Sequence, residues 1–288
     1  MKKTGWLIYN RESSIINEGF ITWFIEEATK LNIELRLLIK EDLSYGVLNH
    51  KLFIFHKGVT LEKPDFVISR NNDPLLSKQL EALQIRVYNT AFTSDICNHK
   101  GKTHQFLANK DIPMLDTLFI NRDEFEPNYL PFPYPVVVKD VTGRGGNEVF
   151  AATSVEELET LLRKVQAKEL IIQRMGDVPG RDVRVFVVGK TIIAAILRYS
   201  DDDFRANFSL GGKARLYELS REQMALVHKV LDQFEDEFGF VGIDFLFAKD
   251  GSFIFNEIED VAGSRTLYAH SNVNIVKLYL EHVLKSLA

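Results

Sequence analysis

The stretch richest in chemistry is residues 241–259, VGIDFLFAKDGSFIFNEIE. Asp250-Gly251 is a strong signal for a two-residue hairpin turn. A turn there sets Lys249 opposite Ser252 and, further along the ladder, Asp244 opposite Glu257. Glu259 follows two residues later, on the same face as Glu257. Opposed side chains of a ladder stand about 4.5–5.5 Å apart at Cβ, where like charges repel. Three carboxylates crowded among phenylalanines therefore call for a compensating cation. Hard oxygen donors suit Mg2+ or Mn2+, and Mg2+ commonly takes phosphate oxygens as well. The competing reading is a solvated acidic strand face, because a longer loop would shift the register.

A second cluster begins with Lys139 at the end of an apolar strand, followed by Thr142, Gly143, Arg144, Gly145 and Gly146. Glycines let backbone N–H groups approach anionic oxygens, and a strand-end lysine adds a point charge. The segment is not a G-x-x-x-x-G-K-[ST] loop, and Glu148 stands where a dinucleotide fingerprint has its third glycine. Taken alone it reads equally well as a glycine turn between strands. In residues 203–213 (DFRANFSLGGK), Arg205 and Lys213 can neutralise phosphate, and Asn207 can complete a metal shell. A plain surface loop is the alternative. Asp182 and Arg184 alternate with Val183 and Val185, so they share one face of a strand, as ligand-facing groups or as a structural ion pair.

Other chemistries find no support: neither H-E-x-x-H nor G-x-S-x-G occurs. The histidines are scattered, and Cys97 reads as a buried small hydrophobe. As the only cysteine, Cys97 excludes an intramolecular disulfide and a multi-cysteine zinc site. With 35 Lys+Arg against 40 Asp+Glu, the net charge of −5 gives no reason to expect nucleic acid as a partner. No apolar run approaches the ~18–20 residues of a membrane span, and polar Asn10, Arg11 and Glu12 preclude a signal-peptide core. A reducing, cytoplasmic setting without membrane attachment is expected.

These groups must be positioned by an alternation of strands and helices. Residues 5–10, 33–39, 52–55, 65–70 and 85–89 read as strands, with helices over 18–31 and from Pro74. This is the pattern of a small wound α/β domain, assigned to residues 1–93. One helix is expected over 94–109, then strands at 117–120 and 135–139. Ser154 and Glu157 suggest a capping box for a helix at 155–167, before a strand at 169–173. Strands 182–188 and 191–197 flank a Gly189-Lys190 turn. Ser220 and Gln223 can cap a long helix to about 238. The apolar terminal helix, 273–287, can pack internally or against a second copy. Residues 94–288 thus form a second domain, divided near residue 172.

Together the motifs resemble the ATP-grasp superfamily, and within it the RimK-like carboxylate–amine ligases. The matching words are NHKGKTHQFLANKDIP, PVVVKDVTGRGG, LIIQRM with GRDVRVFVVG, DFRANFSLGGKA and VGIDFLFAKDGSFIFNEIEDVAG, spanning about residues 95–288. The resemblance implies an α/β fold, α+β in its C-terminal part, with a small N-terminal domain before an ATP-grasp domain of two subdomains. It implies ATP and Mg2+ (or Mn2+) as cofactors, and as partners a small-molecule or peptide carboxylate with an amine or amino acid. It casts Lys100 and Lys139 as phosphate-contacting lysines and Thr142, Gly143, Arg144, Gly145 and Gly146 as a loop closing over the phosphates. Gln173, Arg174 and Met175 would meet adenine, Asp182 the ribose, and Arg205 the transferred phosphate. Asp244, Glu257 and Glu259 would hold the metal. The family usually has asparagine where Glu259 stands, and a proline where Ala262 precedes Gly263. An ATP-grasp kinase acting on a hydroxyl, or a nucleotide-binding module without turnover, are the alternatives.

Overall fold

The computed structural model describes residues 2–146, 148–206 and 211–288. Its strands fall into three main groups along the chain. The first contains β1 (Lys3–Tyr9), α1 (Arg11–Ile16), α2 (Glu18–Lys30), β2 (Ile33–Ile39), β3 (Leu43–Leu48), β4 (Lys51–His56), β5 (Val59–Thr60), β6 (Phe66–Ser69), α3 (Pro74–Ala82) and β7 (Arg86–Tyr88). Strands β2, β1, β6 and β7 pair in that order, all parallel. The central strands β1 and β6 are short apolar runs buried on both faces, whereas the edge strand β2 exposes Glu34 and Arg36. Asp73 caps α3 through Leu76 N–H, with Pro74 at the first helical position. The expected strand at 52–55 exists, but outside this sheet. It pairs antiparallel with β3 across Asn49-His50, both at positive φ, in a separate three-stranded sheet.

The expected single helix over 94–109 is two: α4 (Ala91–Cys97) and α5 (Lys100–Leu107). His99 leaves the helical region, and its Nδ1 accepts from Lys102 N–H at 3.1 Å, so an imidazole serves as the N-cap. The break redirects the chain so that Lys100 opens α5 beside the end of the next sheet, where its N–H meets Val141 O at 2.8 Å. That sheet comprises β8 (Thr117–Asn121), β9 (Val136–Asp140), β10 (Val149–Ala152) and, after α6 (Val155–Lys164), β11 (Glu169–Arg174), in the antiparallel order β10-β9-β11-β8. Val136, Val138, Leu170 and Ile172 face α6, leaving Val137, Lys139 and Gln173 on the opposite face. The box at Ser154 is half made. Ser154 Oγ accepts from Glu157 N–H, but the Glu157 carboxylate reaches back to Thr153 instead.

The third sheet contains β12 (Arg181–Gly189), β13 (Thr191–Tyr199), β14 (Lys213–Leu216), β15 (Phe238–Phe247) and β16 (Phe253–Glu259), ordered β14-β13-β12-β15-β16 and antiparallel throughout. Between β14 and β15, α7 (Arg221–Leu231) has the expected capping box at Ser220 and Gln223, but stops seven residues before the expected end at 238. Phe234, fully buried against Phe106 and Phe238, anchors the turn that replaces the last helical turns. The chain ends with α8 (Arg265–His270) and α9 (Ile275–Ser286). One face of this sheet packs Val183, Val185, Ile243 and Phe245 against α7. On the other face, Phe186, Ile196 and Phe240 join α2, α9 and the parallel sheet in one core. The terminal helix therefore packs internally. No described helix is long and apolar enough to cross a membrane.

Candidate active site

The polar part of that second face looks across at Lys139 and Gln173, and between the two sheets lies a cleft. Lys100, Lys139, Gly143, Gly145, Gly146, Gln173, Arg174, Met175, Asp182, Arg205 and Glu257 all line it. The expected residues come from five separate segments: the start of α5, the end of β9 with its glycine loop, β11 running into β12, the loop at Arg205, and β16.

Each lysine has a fixed anchor. Lys100 Nζ donates to Gly143 O and lies 3.4 Å from Glu257 Oε2. Lys139 Nζ donates to Asn256 Oδ1 at 3.0 Å. Burial pushes the Lys139 ammonium down to about 8, with Lys100 adding repulsion and Glu257 opposing. Behind this pair, burial and Lys139 together push His104 down to about 4, so its ring is neutral at pH 7. Its Nε2 lies 3.1 Å from Asn256 O, which fixes the residue that holds Lys139.

The glycine loop runs from β9 to β10. Gly145 and Gly146 take φ of +67° and +77°, a conformation that side chains rarely adopt. Thr142 and Arg144 do not line the cleft. Thr142 N–H and Oγ1 both bind Asp140 Oδ1, holding the loop's base. Arg144 turns away to Asn72 and Asn98 and lies 3.9 Å from Asp260. At the mouth, Arg205 Nη1 donates to Gly146 O at 3.0 Å, tying the two loops together, while Asp203 grips the same guanidinium. Gly180 N–H holds Phe204 O at 2.7 Å, which fixes this segment against β12. Asn207 lies outside the described residues. Lys213 pairs with Asp201 on the surface and does not border the cleft. At the hinge, Arg174 N–H and Met175 N–H are engaged by Asp116 O and Pro135 O, each at 3.0 Å.

Asp244 is opposite Glu257 in the β15–β16 ladder, as expected. The reason differs. The loop is longer than two residues, so Phe247 pairs with Phe253, and Asn256 is an extra residue in a β-bulge that restores the register. The compensating cations are guanidinium groups. Arg184 forms a bidentate pair with Asp244 (2.7 and 2.6 Å), and Arg198 reaches the same Asp244 oxygen at 2.7 Å. Arg198 also grips Asp182 through both oxygens, and Arg184 lies 3.2 Å from Glu259. Burial alone would raise Asp244, but the two arginines hold its carboxyl well below the usual range. Burial raises Asp182 against the pull of Arg198. The charge need inferred from the carboxylates is real, yet met by protein cations: the sheet's own arginines for Asp244 and Glu259, and Lys100 of α5 for Glu257. Among the described residues, no three acidic, histidine or cysteine side chains converge as a metal-holding set. Glu257 and Glu259 also border a smaller recess with Thr142 and Arg144.

Arg198 and Asn256 were not among the expected site residues. Arg198 had one usable signal, an arginine near Asp182 across a hairpin. Asn256 had none beyond its place beside Glu257.

Residues 97–283 match the model of the RimK-like ATP-grasp domain. The α-aminoadipate–LysW ligase LysX of Saccharolobus solfataricus is 29% identical over 275 residues, 89% of this chain and 94% of its own. Human N-acetylaspartylglutamate synthase A is 29% identical over 251 residues, 83% of this chain and 63% of its own. The crystal structure of a RimK-domain ATP-grasp protein from Sphaerobacter thermophilus superposes with a TM-score of 0.72 at 16% identity, covering 98% of this chain and 99% of that one. With that match covering well over half of its length, the chain belongs to the RimK-like ATP-grasp family.

Proposed function

We propose that this chain is an ATP- and Mg2+-dependent ligase that joins a carboxylate to an amine through an acyl phosphate, releasing ADP and phosphate. The observation that carries the reading is the convergence of Lys100, Lys139, the glycine loop and Arg205 around Glu257 in one cleft. Two lysines and an arginine facing one glycine-lined space are suited to a polyphosphate. The base would lie toward Gln173–Met175, against hinge carbonyls, since two hinge N–H groups are already engaged.

In this reading Lys100 and Lys139 bind and orient the phosphates. Gly143, Gly145 and Gly146 cover them, and Arg205, poised at the mouth, offsets charge on the transferring phosphoryl group. Phosphorylation makes the acid's oxygen a leaving group that the amine can displace, and the closed loops limit attack by water. Glu257, which lines the cleft, and Glu259, in the recess beside it, fit the metal by donor chemistry as hard-oxygen ligands. Asp244 can join them only where Arg184 or Arg198 releases one of its oxygens. Mg2+ bound with the nucleotide would supply positive charge against the phosphates. Thr142 and Arg144 act on the loop's base and flank rather than on the nucleotide. The names of the two relatives specify an amino acid and a dipeptide product, which favours a small-molecule or peptide acid joined to an amino acid.

The test is a screen crossing carboxylates with amines for ADP release, with products weighed by mass spectrometry. An adduct lighter than the sum of acid and amine by one water, formed with one ADP, supports the ligase. A phosphorylated alcohol formed without an amine would sink it.

A further inference from the structure

Away from the cleft, the N-terminal domain leaves one sheet edge unpaired. Strand β3 ends the small sheet β3-β4-β5, and among the described residues it pairs with β4 alone. The turn at Asn49-His50 has two residues, so Leu48 and Lys51 form a hydrogen-bonded pair, and bonded and non-bonded pairs alternate from there. Beyond the strand end the phase still holds, because Lys57 N–H donates to Asp42 O at 2.9 Å. Residues 44, 46 and 48 therefore turn their backbone groups toward β4, while Tyr45 and Val47 turn theirs outward. No backbone group among the described residues bonds the N–H or C=O of either. Sheet edges are normally guarded by charge, proline or a bulge. Leu43–Leu48 (LSYGVL) has no charged residue and no proline, and its register against β4 is unbroken.

The same edge carries exposed apolar side chains. Val47 is 67% exposed and Leu48 54%, and Leu52, opposite Val47 in the ladder, is 38% exposed. Val47 and Leu52 extend the face on which Leu43, Tyr45 and Ile54 join the domain core, so at this end that core runs out into water. Leu75, also exposed, lies two residues after Asp73, whose carboxylate accepts from Tyr45 Oη at 2.9 Å. Charges of opposite sign flank the strand, with Glu41 before it and His50 and Lys51 after it. The ion pairs nearby use Lys40, Asp42 and Lys57 instead.

We propose that β3 is the pairing edge of a twofold homodimer, with β3 of a second copy lying antiparallel beside it. A register with Gly46 opposite itself fits the edge. Tyr45 of each copy then faces Val47 of the other, and the outward N–H and C=O groups of both copies are all paired. Gly46 falls on the axis in a non-hydrogen-bonded pair, the closest approach of two strands at about 4.5 Å between Cα atoms, and brings no side chain there. Val47 gains the neighbouring Tyr45 face, and Leu48 is covered from the side of Ser44. The hairpin tip, with His50 and Lys51, comes alongside Glu41 of the other copy, once at each end of the interface. A register centred on Tyr45 would oppose Val47 to Leu43, whose N–H is already taken by Lys40 O. The edge is thus complementary to itself in backbone, shape and charge, which selects a second copy over an unrelated strand. No residue of β3 or β4 lines the cleft, so the pairing is independent of the ligase reading.

Sedimentation equilibrium of the full chain across the micromolar range is the test. The 33.0 kDa chain should approach twice that mass as concentration rises, reversibly. Exchange of the Tyr45 and Val47 amides with D2O should slow over the same range. Val47→Lys, which buries an unpaired charge in the interface, should weaken dimerisation by about ten-fold or more and leave the far-UV circular dichroism unchanged. Glu41→Lys, on the surface, should fold normally and weaken dimerisation about five-fold, because it sets like charges together at both ends of the interface. Adding Lys51→Glu to Glu41→Lys should restore it, so the test survives if Val47→Lys fails to fold. A monomer at every concentration, a dimer indifferent to Val47→Lys, or a double variant no tighter than Glu41→Lys alone would overturn the proposal.

Discussion

ATP binding should take up a proton above pH 8, and Lys139 should be the group that takes it. In the free protein, burial and the neighbouring Lys100 bring its ammonium down from 10.5 to about 8. Phosphates entering the cleft supply the missing counter-charge and restore the protonated form. At pH 7 about nine-tenths of Lys139 is already charged, so binding should take up only ~0.1 proton, rising to ~0.9 proton at pH 9. If only the charged form binds, the apparent affinity should fall about ten-fold between pH 7 and pH 9. The phosphates of ATP have lost their own dissociable protons by then, so they do not blur the measurement. The same shift has a sign for folding. A lysine whose folded value lies below its unfolded one is held in a state that the fold disfavours while charged. Between about pH 8 and 10.5 the unfolded chain holds more protons, so the contribution of Lys139 to stability rises with pH there. Titrating a non-hydrolysable ATP analogue with Mg2+ in buffers of contrasting ionisation heats, at pH 7, 8 and 9, gives the proton count directly. Lys139→Gln should flatten both the proton uptake and the pH dependence. A count near zero at pH 9, or an unchanged pH profile in Lys139→Gln, would refute the reasoning.

Arg205→Ala should lower kcat and kcat/KM together while leaving nucleotide affinity nearly intact, since its contact with the transferring group is worth most in the transition state; a raised KM for ATP at normal kcat would contradict this. Glu257→Gln should remove most of the mutual strengthening of Mg2+ and ATP binding and abolish turnover, as read by metal titration with and without nucleotide. Glu259→Asn should retain that coupling, whereas an effect as large as that of Glu257→Gln would give Glu259 the leading share of the metal. Arg198→Met leaves Asp182 buried without its partner and removes one of two cations from Asp244; it should cost about 3–5 kcal/mol in urea unfolding, and a loss below about 1 kcal/mol would show that the network is not holding the sheet.

Much of this site was legible because its parts are local. Lys139 closes an apolar strand and is followed by glycines, and two of those glycines need a left-handed backbone that advertises a loop. The parallel strands announced themselves as short apolar runs. Three features were not legible. His99 breaks a helix by capping it with a ring nitrogen, a role more often given to Ser, Thr, Asp or Asn. Phe234 stops α7 through packing with Phe106 and Phe238, residues on two other elements. Arg70 looks like any strand-end arginine until the structure buries it between Phe20 and Phe240, with Nε and Nη1 lacking a hydrogen-bond partner among the described residues.

The hairpins make the same point more sharply, because each hides an inserted residue. Arithmetic from a two-residue turn at Gly189-Lys190 puts Asp182 opposite Leu197. The shift between Phe186 and Val187 leaves Ile193 as an extra residue and brings Arg198 opposite Asp182 instead. That one-residue change turns a buried carboxylate facing leucine into a bidentate ion pair. In the second hairpin, arithmetic from Asp250-Gly251 reached the right partner for Asp244 only because the longer loop and the bulge at Asn256 offset each other. Had the loop lengthened without the bulge, Asn256 would oppose Asp244, and Glu257 and Glu259 would turn to the other face, into the phenylalanine core. The bulge therefore keeps Glu257 at the cleft and Glu259 at the recess beside it. Its extra residue is also the one whose side chain holds Lys139 Nζ. A feature with no signature in hydrophobic period or turn chemistry thus sets both the acidic wall and the lysine across from it, consistent with bulges collecting beside active sites, where they re-aim side chains.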